Sequence, residues 1–261
     1  MRAAVRLARK KKAPRRAAPR IRERAAEIST RLTRAIPRPH VELHFQDAWQ
    51  LLVASILAAQ STDRTVNRVM PDLLARWPDP GALAQAPQAE VEKVVLSTGF
   101  FRNKAKAIRA ASAAIAERFG GRVPRSMEEM LELPGVARKT ANVVLGAAYG
   151  VSSGMVVDTH VQRVSHRLRL TQQSTPEKIE AVLCGLFPPE DWIRLSHRLV
   201  LHGRHVCIAR APRCEECPLN ELCPSRQAPP RGTWTERARA IAAEMESRAE
   251  SFSRVDAASP D

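Results

Sequence analysis

The 261-residue sequence is poor in aromatic residues: four Trp, six Phe and one Tyr, 4% of the chain. A protein that holds single strands by stacking bases on rings needs more, so the composition argues against that mode of binding. Long apolar runs are missing too. The longest, Leu51 to Ala59, is broken by Ser55 and is too short to cross a bilayer, so no membrane span is expected. The basic N-terminus lacks the apolar core of a secretory signal, and residues 1–24 contain no serine, which argues against a transit peptide. Without an export signal, five cysteines do not read as a disulfide framework. No segment alternates with period two over strand length, so the expected class is all-α. Acidic residues are outnumbered, 27 against 42 basic, giving a formal charge of +15 and an expectation of polyanionic partners, nucleic acid first. The expectation is a soluble, intracellular, basic protein, long enough for two modest domains.

The charge is unevenly spread. Residues 1–24 carry +10, residues 25–226 carry +6 and the remainder −1. The first segment has no apolar periodicity and reads as a disordered basic arm. Beyond Pro224 the chain turns to Pro, Arg and Gly, and residues 227–261 read as a tail in which Thr235 to Arg254 could form one exposed helix. Between the tails almost everything reads as helix. Asp47 can cap a helix through Ala59, and Thr62 precedes another whose Pro71 predicts a kink or break. Helices are expected over 88–97, 103–118, Ser126–Leu133, Ala137–Tyr149, 176–186 and 190–204.

Four cysteines, Cys207, Cys214, Cys217 and Cys223, are spaced C-x6-C-x2-C-x5-C. Four thiolates within seventeen residues can close around one metal centre, either tetrahedral zinc or a four-iron cluster with one thiolate per iron. Zinc modules usually pair two short knuckles, and only Cys214 and Cys217 form one here. The irregular gaps suit the larger cluster. Cys184 stands apart, between Leu183 and Leu186, and reads as a packed core residue.

The stretch LPGVARKTANVVL joins two helices through a tight turn, with Gly135 allowing backbone angles barred to other residues. Such a turn aims the free N–H groups of the next helix at an anion, which for a basic protein is a DNA phosphate. Only eight of the 42 basic residues are lysine, and one of them, Lys139, sits at the start of this helix beside Arg138. Arginine cannot serve as an amine nucleophile near neutral pH, whereas lysine can. The plainer reading of Lys139 is a phosphate contact. Downstream, VVDTHVQRV places Asp158 ahead of a helical pattern. Asp158 can cap that helix, and a carboxylate there could also stabilise a developing cation.

Taken together, LPGVARKTANVVL, VVDTHVQRV, LHGRHVCIARAPRC with its following cysteines, and LLVASILAAQSTDRTVN resemble the endonuclease III family of base-excision repair glycosylases. The likeness runs from about residue 25 to residue 226. It implies a six-helix barrel over 43–153, with a helix-hairpin-helix near 126–149. It also implies a second helical domain, built from 25–42 and 154–226, that holds a 4Fe-4S cluster on Cys207, Cys214, Cys217 and Cys223. DNA would lie across the cleft between them. The resemblance makes Lys139 the nucleophile of a bifunctional glycosylase and lyase acting on oxidised pyrimidines, with Asp158 opposite it. Gln60 and Phe100 would fill the hole left by a flipped nucleotide, and Gly135, Ala137 and Arg138 would meet the DNA backbone. Phe100 stands where relatives usually carry leucine, and its plainer reading is a residue packed on the barrel. Ala137 replaces the second hairpin glycine, which could restrict the turn. Arg204, Arg210 and Arg213 are further candidate contacts to DNA. The implied partner is double-stranded DNA containing oxidised bases or abasic sites. The implied setting is a monomer in the bacterial cytoplasm, associated with the nucleoid. A zinc-holding, non-catalytic DNA-binding protein is the competing reading; it would be colourless and would cut nothing.

Overall fold

The first helix, α1 (Pro19–Ala35), departs from the expectation of an arm through residue 24. Ala25, Ile28, Leu32 and Ala35 recur at helical spacing and are fully buried. Arg24 donates to the carbonyls of Leu168, Leu222 and Arg169, so residues 19–24 belong to the folded body. The computed structural model describes residues 19–257, with side chains over 20–249. The rest of the expected arm, residues 1–18, and the last four residues of the tail lie outside that range.

A first core is built by seven helices. These are α2 (Ala48–Leu57), α3 (Asp63–Arg76), α4 (Pro80–Gln85), α5 (Gln88–Val95), α6 (Phe101–Arg118), α7 (Met127–Leu131) and α8 (Arg138–Tyr149). Polar side chains start several of them as the sequence predicts. Asp47 accepts from the Gln50 N–H, Thr62 from Thr65 and Ser126 from Glu129, each satisfying a free N–H of the first turn. Pro71 does not break α3, which runs through it to Arg76. Nearby, the Asn67 side chain donates to the Glu42 carbonyl and accepts from the His44 N–H, tying α3 to the preceding loop. Leu51, Leu57, Leu73, Leu83, Ile108, Ile115 and Leu145 fill this core.

A second core uses α1 together with α9 (Thr159–Arg167), α10 (Pro176–Leu186) and α11 (Trp192–His205). The last helix, α12 (Trp234–Ala257), covers the far end of α1 and α11. It is not an exposed helix: Ala238, Ile241 and Met245 are buried, because they repeat at helical spacing beneath a charged outer face. Among the described residues there is no strand, and no helix is long and apolar enough to cross a membrane. The chain is all-α.

Candidate active site and cysteine pocket

The turn between α7 and α8 is held by Gly135, whose φ is +75°. A β-carbon there would also come within 2.9 Å of the Ala107 side chain on α6, so glycine serves both the turn and the close packing. Ala137 causes no such strain. Its backbone is extended, with φ −98° and ψ 166°, which any residue adopts, so a second glycine is not required. No side chain caps α8, which leaves the N–H groups of its first turn to face outward beside the exposed Lys139. Arg138 is committed elsewhere. Its guanidinium grips Glu180 of α10 through two bonds of 2.8 and 3.0 Å, and Asn142 joins the same carboxylate at 3.1 Å. The hydrogen bond to Glu180 outweighs burial and raises the pKa of Arg138 further. Arg138 thus clamps the first core to the second in this structure, rather than standing free for a phosphate.

Lys139 and Asp158 line one cavity of about 100 Å³ between the two cores. Asp158 sits at the N-cap of α9 and accepts the His160 and Val161 N–H groups at 2.9 and 2.8 Å, both on Oδ1. His197 lines the same cavity. Burial, with help from His40, pushes it down to about 4, so it is neutral at physiological pH. The cavity wall is braced by Arg204, which pairs with both Glu42 and Asp63. Burial opposes ionisation of Glu42, but the hydrogen bond from His205 and the charge and hydrogen bond of Arg204 prevail and lower it to about 2. Arg204 is therefore occupied by carboxylates, and so is Arg213, which pairs with Glu216 and Glu244. Both had been candidate DNA contacts on charge alone.

Gln60 and Phe100 face a second opening next to the first, and Ser55 and Thr140 line both. The two candidate wedges share a backbone oddity: φ is +57° at Gln60 and +47° at Phe100, in the left-handed region that non-glycine residues rarely adopt. Phe100 is 70% exposed and does not pack on the barrel. Sequence reasoning missed what supports this loop. Lys104 is buried, 5% exposed, and its ammonium donates to the Thr98 carbonyl at 2.6 Å, pinning the turn that presents Phe100. The scarcity of lysine that singled out Lys139 could have singled out Lys104 as well.

The four cysteines line a single pocket beneath α9 and α11. Arg167, at the end of α9, donates to the carbonyls of Ile208 and Ala209 at 2.8 and 2.7 Å and to Cys207 Sγ at 3.3 Å. The helix that Asp158 starts thus ends on the cysteine loop. Burial lifts Cys217 to about 12 and raises Cys223, with the neighbouring thiols adding to both. A bound cationic centre would supply the charge that four thiolates lack. Among the described residues, no three or more His, Cys, Asp or Glu side chains are grouped tightly enough to hold a single metal ion. The four sulfurs share one pocket, as a cluster held by one thiolate per iron requires. His202 touches Cys217 Sγ at 3.7 Å. His160, His166 and His205 bond to Arg163, the Gln173 carbonyl and Glu42. Cys184 packs on the second core, and its burial raises it to about 11.

Residues 53–189 match the HhH-GPD superfamily base excision DNA repair protein, and residues 207–223 match the iron–sulfur binding domain of endonuclease III. The chain is 52% identical to endonuclease III of Synechocystis over 207 residues, covering 79% of this chain and 94% of that one. It is 38% identical to endonuclease III of Escherichia coli K12 over 197 residues, covering 76% and 93%. A solved structure of a trapped endonuclease III–DNA covalent intermediate superposes with a TM-score of 0.76 at 36% identity, covering 79% of this chain and 97% of that one. The chain belongs to the endonuclease III family. It is a base excision repair DNA glycosylase that carries a 4Fe-4S cluster.

Proposed function

We propose that the protein removes oxidised pyrimidines from duplex DNA and then cuts the strand, acting as a monomer with DNA across the cleft between its two lobes. The observation that carries the reading is the single cavity shared by Lys139 and Asp158, each on a different core. The flipped nucleotide would place its sugar between them. The Lys139 amine attacks C1′, the glycosidic bond breaks with its electrons on the departing base, and the base takes up a proton. Asp158 stabilises the cationic sugar as it develops and helps the amine shed its proton. Ring opening leaves a Schiff base at C1′. Loss of a C2′ proton then expels the 3′ phosphate, and water releases Lys139.

Gln60 and Phe100 fill the gap left in the duplex, while the Gly135–Ala137 turn and the free N–H groups of α8 hold the backbone. Cys207, Cys214, Cys217 and Cys223 would hold the cluster, which would tie together the loop from 207 to 223. Borohydride reduction during reaction with abasic-site or thymine-glycol DNA tests the scheme. The wild type is expected to form a covalent adduct and Lys139→Gln none. A wild type that forms no adduct would sink the lyase step.

A further inference from the structure

Helix α12 lies beyond the matched iron–sulfur region, which ends at residue 223. The Synechocystis relative is covered over 94% of its length by only 79% of this chain, so this protein has material to spare. That helix is bound to the cysteine loop in detail. Arg237 is 4% exposed and donates to the carbonyls of Cys217 at 2.9 Å, Arg231 at 3.1 Å and Gly232 at 2.6 Å, and to the Glu221 carboxylate. From α1, Arg31 takes the other Glu221 oxygen at 2.8 Å and the Pro218 carbonyl at 3.2 Å. The Trp234 ring lies 4.7 Å from the Arg31 guanidinium and 5.7 Å from that of Arg34. Two turns beyond Arg237, Glu244 holds Arg213, the residue before Cys214. The apolar side of α12 seals against Ile36, Leu201 and Val206.

We propose that α12 is a brace for the cluster, and that Arg237 is a positioning residue that fixes the arc from Cys217 to Cys223 and slows loss of iron. The inference rests on the four cysteines being the ligands. Iron leaves when a thiolate arm swings away, and an arm held by buried, charge-assisted hydrogen bonds opens more rarely. Without Arg237 the Cys217 carbonyl and Glu221 lose a buried charged partner. The expected effect is roughly a tenfold change in opening.

The test uses full-length holoprotein purified without oxygen, then exposed to air and an iron chelator while visible absorbance and released iron are followed. Arg237→Met is expected to bleach about tenfold faster, with initial iron content and helicity unchanged. Glu244→Gln is expected to show a smaller acceleration. Arg239→Met, on the exposed side of the same helix, is expected to match the wild type. If Arg237→Met does not fold, Arg237→Lys replaces it, since lysine keeps the charge but cannot span three carbonyls and a carboxylate; it too is expected to bleach faster. Wild-type rates in both the Arg237 and Glu244 variants overturn the brace, as does a lowered melting temperature with unchanged iron release. A wild-type protein that contains no iron overturns the cysteine assignment, a failure visible before any rate is compared.

Discussion

Asp158 puts both capping hydrogen bonds on one oxygen, so its structural and chemical parts can be separated by substitution. Asparagine caps a helix about as well as aspartate. Asp158→Asn is therefore expected to leave stability within about 0.5 kcal/mol of wild type while lowering turnover by roughly a hundredfold and DNA affinity far less. Denaturant melts with single-turnover kinetics check this; equal losses in binding and turnover would make Asp158 only a cap. The sequence marked Lys139, Asp158 and the four cysteines by residue type and spacing, and the structure brings Lys139 and Asp158 to one cavity and the cysteines to one pocket; their roles came from the family resemblance. Lys104, Glu42 and Glu180 were not marked in this way. A buried charge has meaning only beside its partner, and Glu42 meets Arg204 from 162 positions away. For the same reason Arg138, Arg204 and Arg213 read as free positive charge until their carboxylates were placed.

At the scale of elements, the hairpin was legible because Pro134-Gly135 breaks a helical pattern in only one economical way. The wedge loop was not. Gly99 and Phe100 take left-handed angles in succession, at +69° and +47°, and nothing in the composition of the loop demands that of a phenylalanine. Such a backbone costs about 1–3 kcal/mol and persists only where its surroundings enforce it, here the Lys104 bond to Thr98. Phe100→Ala is expected to change stability by no more than about 0.5 kcal/mol, since the ring is exposed. It is expected to lower base removal from duplex DNA roughly tenfold, and less from a single-stranded lesion that needs no wedge. Parallel assays on the two substrates check it; equal loss on both would remove the wedge role. Only the start of α1, residues 19–24, was hidden, because its basic composition continues that of the preceding residues. The helical segment of the tail was legible, but its buried face was not, since the surface it covers is assembled from α1 and α11.

Across the whole molecule, two ionic latches tie the first core to the second: Arg138 with Glu180, and Arg204 with Glu42 and Asp63. Glu42 titrates near 2 instead of 4.5, so the stability it contributes is complete above about pH 4.5 and is lost as pH falls toward 2. Glu42→Gln is expected to cost about 2 kcal/mol at neutral pH, and the difference from wild type is expected to shrink on acidification through that window. Urea melts at a series of pH values check it; a difference independent of pH would contradict the latch. The net charge of +15 also divides by region. Residues 1–18 hold eight basic side chains and no acid. Their removal, stopping short of α1, is expected to weaken DNA affinity and flatten its dependence on salt while leaving single-turnover strand cleavage unchanged. Identical salt dependence with and without them would make the segment a bystander.

In the proposed reaction a single amine, Lys139, forms the covalent bond to DNA. Borohydride trapping followed by proteolysis and peptide mass mapping locates that bond directly. The DNA-derived mass is expected on the peptide containing Lys139 and nowhere else. An adduct on Lys104, on another lysine or on the terminal amine would contradict it.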